Sequence, residues 1–227
     1  MMVIGHRGAS FDFPENTLEA FEGAAAQGAD WVELDVRCTA DGVLVVHHDA
    51  VLPDGRVIFD TIAGDLPDTV TTLELALATC LPMGVNVEIK NSPAEPGYDP
   101  TGALARSTVL AIGGVGPGLD VLVSSFDIGT LEAVRSADPM LATGYLVLST
   151  EEPDDAVAMA VGGGHRAVNP WDPCVTEASV ARAHDAGIEV NVWTVDDPDR
   201  IRQLADWGVD AVITNRPAVA RRALGLD

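Results

Sequence analysis

Two dipeptide spacings and one histidine-rich run carry the chemistry of this sequence. WVELDV sets Glu33 and Asp35 two residues apart, and VEIK does the same for Glu88 and Lys90. In a β-strand, residues two apart share a face. GHRG places His6 beside Arg7, and VVHHD places His47, His48 and Asp49 in a row. Three carboxylates on one small volume (Glu33, Asp35, Glu88) repel one another in low dielectric unless some protonate or a cation sits among them. All-oxygen ligation points to a hard ion, Mg2+ or Ca2+. A zinc site would recruit His6 and His48 instead. Flanking the carboxylates, those two histidines suit a general acid and a general base. Arg7 and Lys90 add fixed positive charge, which with the ion fits an anion shared over several oxygens, such as a phosphodiester. The competing structural explanation for the Glu/Asp pair is an interior ion pair with Arg37 or a satisfied polar network.

These residues converge only if the fold brings strand ends together. Apolar, β-branched runs alternate with helical patterns along the chain: MVIGH, WVELDV, VNVEIK, DVLVSSF, ATGYLVL, RAVNP, IEVNVWTV and DAVITN each lead sooner or later into a helix. Asn16-Thr17 and Asp197-Pro198 mark helix starts, and Gly28, Gly187 and Gly208 mark stops. Such alternation implies parallel strands with crossover helices. Eight units predict an α/β fold, the (β/α)8 TIM barrel; a doubly wound open sheet is the other candidate, but no GxGxxG turn follows a strand. In a barrel the C-terminal strand ends form one mouth. His6, Arg7, Glu33, Asp35, Glu88 and Lys90 all fall there, with Ser124, Ser125, Asn169, Trp193, Thr214 and Asn215.

VLVVHH follows WVELDV too closely for a parallel crossover. Asp41-Gly42 is a hairpin turn signal, so VELDVRCTADGVLVVHH reads as a short antiparallel hairpin extension after strand 2. With Asp41 and Gly42 as a two-residue turn, Arg37 pairs Val46 and Asp35 faces His48; a one-residue slip brings up His47.

The 227 residues, 47% hydrophobic, are read as one domain, 1–227, with a short inserted loop at about 49–71 and a long functional loop after Lys90. The formal charge of -22 excludes a nucleic-acid backbone as partner. Lys90 is the sole lysine among 13 basic residues, which draws attention to its place. No apolar run reaches the roughly 20 residues of a membrane span, so stable membrane insertion is not expected. MMVIG lacks the features of a signal peptide, and Cys38, Cys80 and Cys174 read as free thiols, so a cytoplasmic location is expected. Oligomeric state is not encoded in any of these features.

In order and spacing, HRGAS, PENTLEAF, GAD, VELDV, TADG, VVHHD, VEIK, SSFD, VWTVD and ITNRP resemble the glycerophosphodiester phosphodiesterases, over nearly the whole chain. The resemblance implies a (β/α)8 barrel and hydrolysis of glycerophosphodiesters to glycerol 3-phosphate and an alcohol. It implies that His6 and His48 are the catalytic pair, Glu33, Asp35 and Glu88 the divalent-metal ligands, and Arg7 and Lys90 the phosphate contacts. Asn16 and Trp193 match positions lining the substrate pocket, although Asn16 also suits a helix cap and Trp193 core packing. The implied reaction runs by attack of the glycerol 2-hydroxyl on phosphorus, then opening of the cyclic phosphate by water. Gly8 is read as keeping a side chain clear of the phosphate. Two departures stand out: the segment after VVHHD is short, and Asn215 stands where many members carry Asp. Related alternatives are a lysophospholipase D or sphingomyelinase-D-like enzyme, which would show an exposed apolar rim, and a non-catalytic phosphate-binding module, which would lack a histidine or carboxylate.

Overall fold

A computed structural model describes residues 1–116, 118–148 and 153–226. Its strands are β1 (Met2–His6), β2 (Trp31–Cys38), β3 (Leu44–Val46), β4 (Gly84–Ile89), β5 (Val121–Ser125), β6 (Ala142–Val147), β7 (Ala167–Pro170), β8 (Glu189–Trp193) and β9 (Ala211–Thr214). Its α-helices are α1 (Leu18–Ala26), α2 (Leu73–Cys80), α3 (Ala103–Gly114), α4 (Ile128–Ala137), α5 (Pro153–Gly163), α6 (Glu177–Asp185), α7 (Pro198–Asp206) and α8 (Pro217–Leu224). Around the sheet the order is β1, β9, β8, β7, β6, β5, β4, β2, and pairing of β1 with β2 closes it. Those eight strands are parallel, and β3 is added antiparallel on β2. The predicted (β/α)8 barrel with a hairpin after its second strand is what forms.

Alternation inside buried strands explains how the barrel holds a polar centre. Along β2 and β4, Val32, Leu34, Val36, Val85, Val87 and Ile89 pack with Phe21, Ala24, Leu73 and Leu77 of the surrounding helices. Between them, Glu33, Asp35, Asn86 and Glu88 point the other way and are equally buried. On the far side Val3, Val190, Val192 and Val212 pack with Val180, Ile201 and Leu204. Each fully buried aliphatic side chain contributes about 1.5–3 kcal/mol, which offsets the burial of the charged layer. Helices start where side chains accept orphan N–H groups: Thr17, Thr72, Asp127, Thr176 and Asp197.

The hairpin register differs by one residue from the sequence expectation. Val36 pairs Val46, Arg37 pairs Val45 and Cys38 pairs Leu44. The turn has three residues, not two: Thr39 N–H donates to the Val43 carbonyl at 3.0 Å, and Gly42, at φ 82°, donates to the Thr39 carbonyl. The Thr39 hydroxyl favours this longer turn by bonding Asp41 Oδ1 at 2.6 Å and accepting from Val43 N at 3.0 Å. Asp35 therefore faces His47, whose N–H donates to the Asp35 carbonyl at 3.0 Å.

The segment after the hairpin folds back on it. Leu52 and Ile58 pack on Val45, Ala40 N–H donates to the Thr61 carbonyl, and Ala63 N–H donates to Asp41 Oδ1. Among the described residues, no helix is long and apolar enough to cross a membrane.

Candidate active site

His6, Arg7, Glu33, Asn86, Glu88 and Lys90 form the polar side of a cavity of about 160 Å3 at the barrel mouth, with His48 beside them. Phe126, Leu146, Leu148, Trp193 and Ile213 form its apolar side. His48 reaches this cavity despite the shifted register, because β3 ends at Val46 and the chain leaves the strand pattern there. His47 turns away, its Nδ1 2.9 Å from the Asp49 carbonyl.

Glu33, Asp35 and Glu88 come together at the bottom of the mouth, one oxygen from each lying within 4.8 Å of the others. All three are buried; Glu33 Oε1 has no hydrogen-bond partner among the described residues, and Asp35 Oδ1 and Glu88 Oε1 meet the Lys90 ammonium. Burial first, then the charges of Asp35 and Glu88, push the Glu33 carboxyl well above the usual range. Burial likewise lifts Glu88 to about 7, even with Lys90 pulling against it. Burial would raise Asp35 too, but Lys90 and Arg7 outweigh it and hold this carboxyl at about 2. A hard cation fits this set: converging buried carboxylate oxygens, one of them unpartnered among the described residues, no sulfur, and in Glu33 and Glu88 two raised carboxyls whose protons an ion would displace.

The two cations share one carboxylate, Asp35. Lys90 Nζ lies 3.1 Å from Asp35 Oδ1 and 2.5 Å from Glu88 Oε1. Arg7 Nε lies 3.2 Å from Asp35 Oδ2, and its Nη1 donates to both oxygens of Glu15 at 2.9 and 3.0 Å. Arg7 also donates its backbone N–H to Glu33 Oε2 at 2.9 Å, from a left-handed conformation at φ 55°. The glycine that follows has a different purpose from the one its sequence suggests. A Cβ on Gly8 would stand 2.5 Å from the Ala20 backbone, so α1 requires the glycine, and its φ of +86° adds to that. Arg37, the sequence's candidate for an interior ion pair with Glu33 or Asp35, turns instead to Glu95 at 2.9 Å and to the His48 carbonyl.

Each histidine has its own partner. His6 Nδ1 is 2.8 Å from Asn215 Oδ1, and Asn215 Nδ2 donates to Asp196 Oδ2 at 2.7 Å. With its Nδ2 donating to Asp196, Asn215 presents its carbonyl to the ring, which assigns the proton to His6 Nδ1 and leaves the Nε2 lone pair free. His6 Nε2 lies 4.0 Å from Glu33 Oε2. At the rim, His48 Nδ1 meets Asp49 Oδ1 at 2.7 Å. Burial depresses both histidines below their usual value, aided by Arg7 at His6 and by Lys90 at His48.

Asn16 stands behind the carboxylates. Its Nδ2 donates to Asp35 Oδ2 at 2.7 Å, and its Oδ1 accepts from Asp35 N at 3.3 Å. Thr17 takes the helix cap, which leaves Asn16 free for this clamp. Trp193 does line the cavity: its Nε1 donates to the Asn169 carbonyl at 2.7 Å, and its ring meets Phe126 edge to face at 5.7 Å. The sequence placed Asn215 and Asp49 at the mouth but gave neither its histidine partner, and it did not single out Phe126 and Leu148, whose signal was position, each falling just past a strand end.

A profile of the glycerophosphoryl diester phosphodiesterase family matches residues 6–219. A probable glycerophosphodiester phosphodiesterase 2 of Mycobacterium tuberculosis is 31% identical, with 98% of this chain and 90% of that protein aligned. A glycerophosphodiester phosphodiesterase of Caldanaerobacter subterraneus is 30% identical, over 95% of this chain and 94% of its own. Among solved structures, an Oleispira antarctica phosphodiesterase in complex with the product sn-glycerol-3-phosphate superposes with a TM-score of 0.88 at 27% identity, covering 99% of this chain and 97% of that one.

Proposed function

The chain belongs to the glycerophosphoryl diester phosphodiesterase family and is a glycerophosphodiester phosphodiesterase, and on that premise we propose how its barrel mouth does the chemistry. The proposal covers residues 1–227 as one catalytic domain, working in the cytoplasm, with the 49–71 segment covering one side of the mouth. Glu33, Asp35 and Glu88 would hold a divalent ion, Mg2+ or Ca2+, which when bound would neutralise charge on the phosphoryl oxygens. The observation that carries this is the convergence of three buried carboxylates within 4.8 Å of one another, with Glu33 Oε1 unpartnered among the described residues, beside two histidines.

Arg7 and Lys90 sit at the mouth as fixed cations and orient the phosphate; their pairing with Asp35 keeps them from swinging away. One histidine takes the proton of the glycerol 2-hydroxyl as that oxygen bonds to phosphorus. The other gives a proton to the departing alcohol oxygen as its bond to phosphorus breaks. The roles then reverse: the second histidine accepts a proton from water, and the first returns its proton to the 2-oxygen as the cyclic phosphate opens. The sum is one water consumed, with glycerol 3-phosphate and an alcohol released. Asn215 and Asp49 fix the two rings for these transfers.

A second reading, action on lysolipids, has one observation in its favour: Phe126 and Leu148 line the cavity and are also exposed at its rim. A panel of glycerophosphocholine, glycerophosphoethanolamine, glycerophosphoglycerol, glycerophosphoinositol and a lysolipid, each with Mg2+ or Ca2+, tests both. Release of glycerol 3-phosphate from the deacylated substrates is expected; cleavage of the lysolipid alone would replace the first reading by the second. No histidine or carboxylate of the set is missing, which disfavours a non-catalytic module.

A further inference from the structure

β2 and β4 end at different heights. Their pairing stops at Val36 and Ile89, while β2 runs on to Cys38 before turning into β3. Beyond that point, the edge of β2 faces a notch of about 480 Å3. This lies within the roughly 300–1,000 Å3 range of small-molecule sites. Ile58, Phe59, Pro96, Tyr98 and Leu104 supply its apolar walls, with Asp99 among them.

Two residues tie the notch to the catalytic centre. Lys90 lines both cavities and reaches Asp35 and Glu88 with its Nζ. Arg37, the next residue on the Glu33–Asp35 face of β2, lines the notch and donates to the His48 carbonyl through Nε at 2.8 Å and Nη2 at 2.5 Å. The walls are held in place. Asn91 clamps Asp99, donating to its carbonyl at 2.9 Å and accepting from its N–H at 2.8 Å. Asp99 in turn accepts from Thr101 N and Leu104 N at the start of α3, both at 2.8 Å. Gly97, at φ +82°, lets Phe59 close over the loop; a Cβ there would stand 2.8 Å from the Phe59 Cβ.

We propose that this notch is the subsite for the leaving alcohol, and that it favours an apolar cation, an alkylated ammonium alcohol, over a polyol. The inference rests on the hydrolytic reading above. The charge of Arg37 is met by Glu95, and that of Lys90 by Asp35 and Glu88. Asp99 is then the formal charge left on a wall that also carries two aromatic side chains, Phe59 and Tyr98. Aromatic faces and a carboxylate attract a quaternary ammonium group. Of the non-aromatic polar residues that line the notch, Arg37, Lys90, Asp99 and Thr101 are already engaged by protein partners, which leaves Ser107 for the hydroxyls of a polyol.

The readout is the ratio of kcat/KM for glycerophosphocholine to that for glycerophosphoglycerol. Tyr98→Ala should lower this ratio about tenfold, and Tyr98→Phe should keep it. On the unmodified protein, millimolar choline should compete with glycerophosphocholine, yet still bind when sn-glycerol 3-phosphate is saturating, because the two products occupy different cavities. An unchanged ratio in folded Tyr98→Ala, or exclusion of choline by glycerol 3-phosphate, overturns the subsite. Failure to hydrolyse any glycerophosphodiester overturns instead the reading on which it rests.

Discussion

The arc of the mouth from β1 to β4 sets His6, Arg7, Glu33, His48, Glu88 and Lys90 against the cavity, while the arc from β5 to β9 sets Phe126, Leu146, Leu148, Trp193 and Ile213 there. The two arcs share one barrel and one backbone pattern. They differ in what the inward positions carry, and the apolar arc shapes the behaviour of the charged one. By keeping water from one side, it lowers the local dielectric, so every charge opposite is felt more strongly. Glu33 and Glu88 are pushed up by burial, and Asp35 stays ionised because it alone takes both Lys90 and Arg7. The centre is thus one carboxylate neutralised by two cations, with two further carboxyls ready to exchange protons for an ion.

The largest expected effect belongs to the histidines. His6→Ala or His48→Ala should lower kcat by about 10²–10⁴-fold with an unchanged unfolding temperature. His47→Ala should stay within a few-fold, since its ring faces the Asp49 carbonyl. Steady-state kinetics on purified variants would decide; a crippled His47→Ala with a mild His48→Ala would break the assignment.

Next in size is the asymmetry inside the charged arc. Asp35→Asn leaves two buried cations without their shared partner and should cost about 3–5 kcal/mol in urea unfolding. Glu33→Gln in the ion-free protein should cost far less, because burial and the neighbouring carboxylates already favour the neutral form of that carboxyl. Equal losses in the two variants would contradict this division of labour.

A smaller effect is proton linkage. Glu88, raised to about 7, is protonated below that pH in the ion-free protein, so an ion must displace its proton. Affinity for Mg2+ or Ca2+ should therefore fall as pH drops through 7, by up to about tenfold per pH unit for one proton. Calorimetric titration at several pH values would show it; a flat profile from pH 5 to 8 would not fit. The apolar arc should give the smallest response: Phe126→Ala is expected to raise KM several-fold with little change in kcat, removing an edge contact to Trp193 but no charge.

The barrel could be read from alternating patterns because each buried strand in the carboxylate region repeats apolar-out, polar-in, as V-E-L-D-V and V-N-V-E-I do. The site residues could be gathered because strand ends converge in such a barrel. The hairpin register could not, since it depends on one hydroxyl: Thr39 stabilises a three-residue turn where Asp41-Gly42 alone suggests two. Nor could the partners of the site. Asn16 is bound to Asp35 from 19 positions away, and Asn215 to His6 from 209. Such pairings are set by how far the barrel carries each strand around before it closes, and local spacing holds no record of that.

The central claim is that the charged arc works by holding a hard divalent ion on Glu33, Asp35 and Glu88. Its most direct test is the rate of glycerophosphocholine hydrolysis by protein stripped with a chelator and then resupplied with Mg2+ or Ca2+. Loss of activity on stripping and recovery on resupply is predicted; full activity in the stripped, metal-free protein would contradict it.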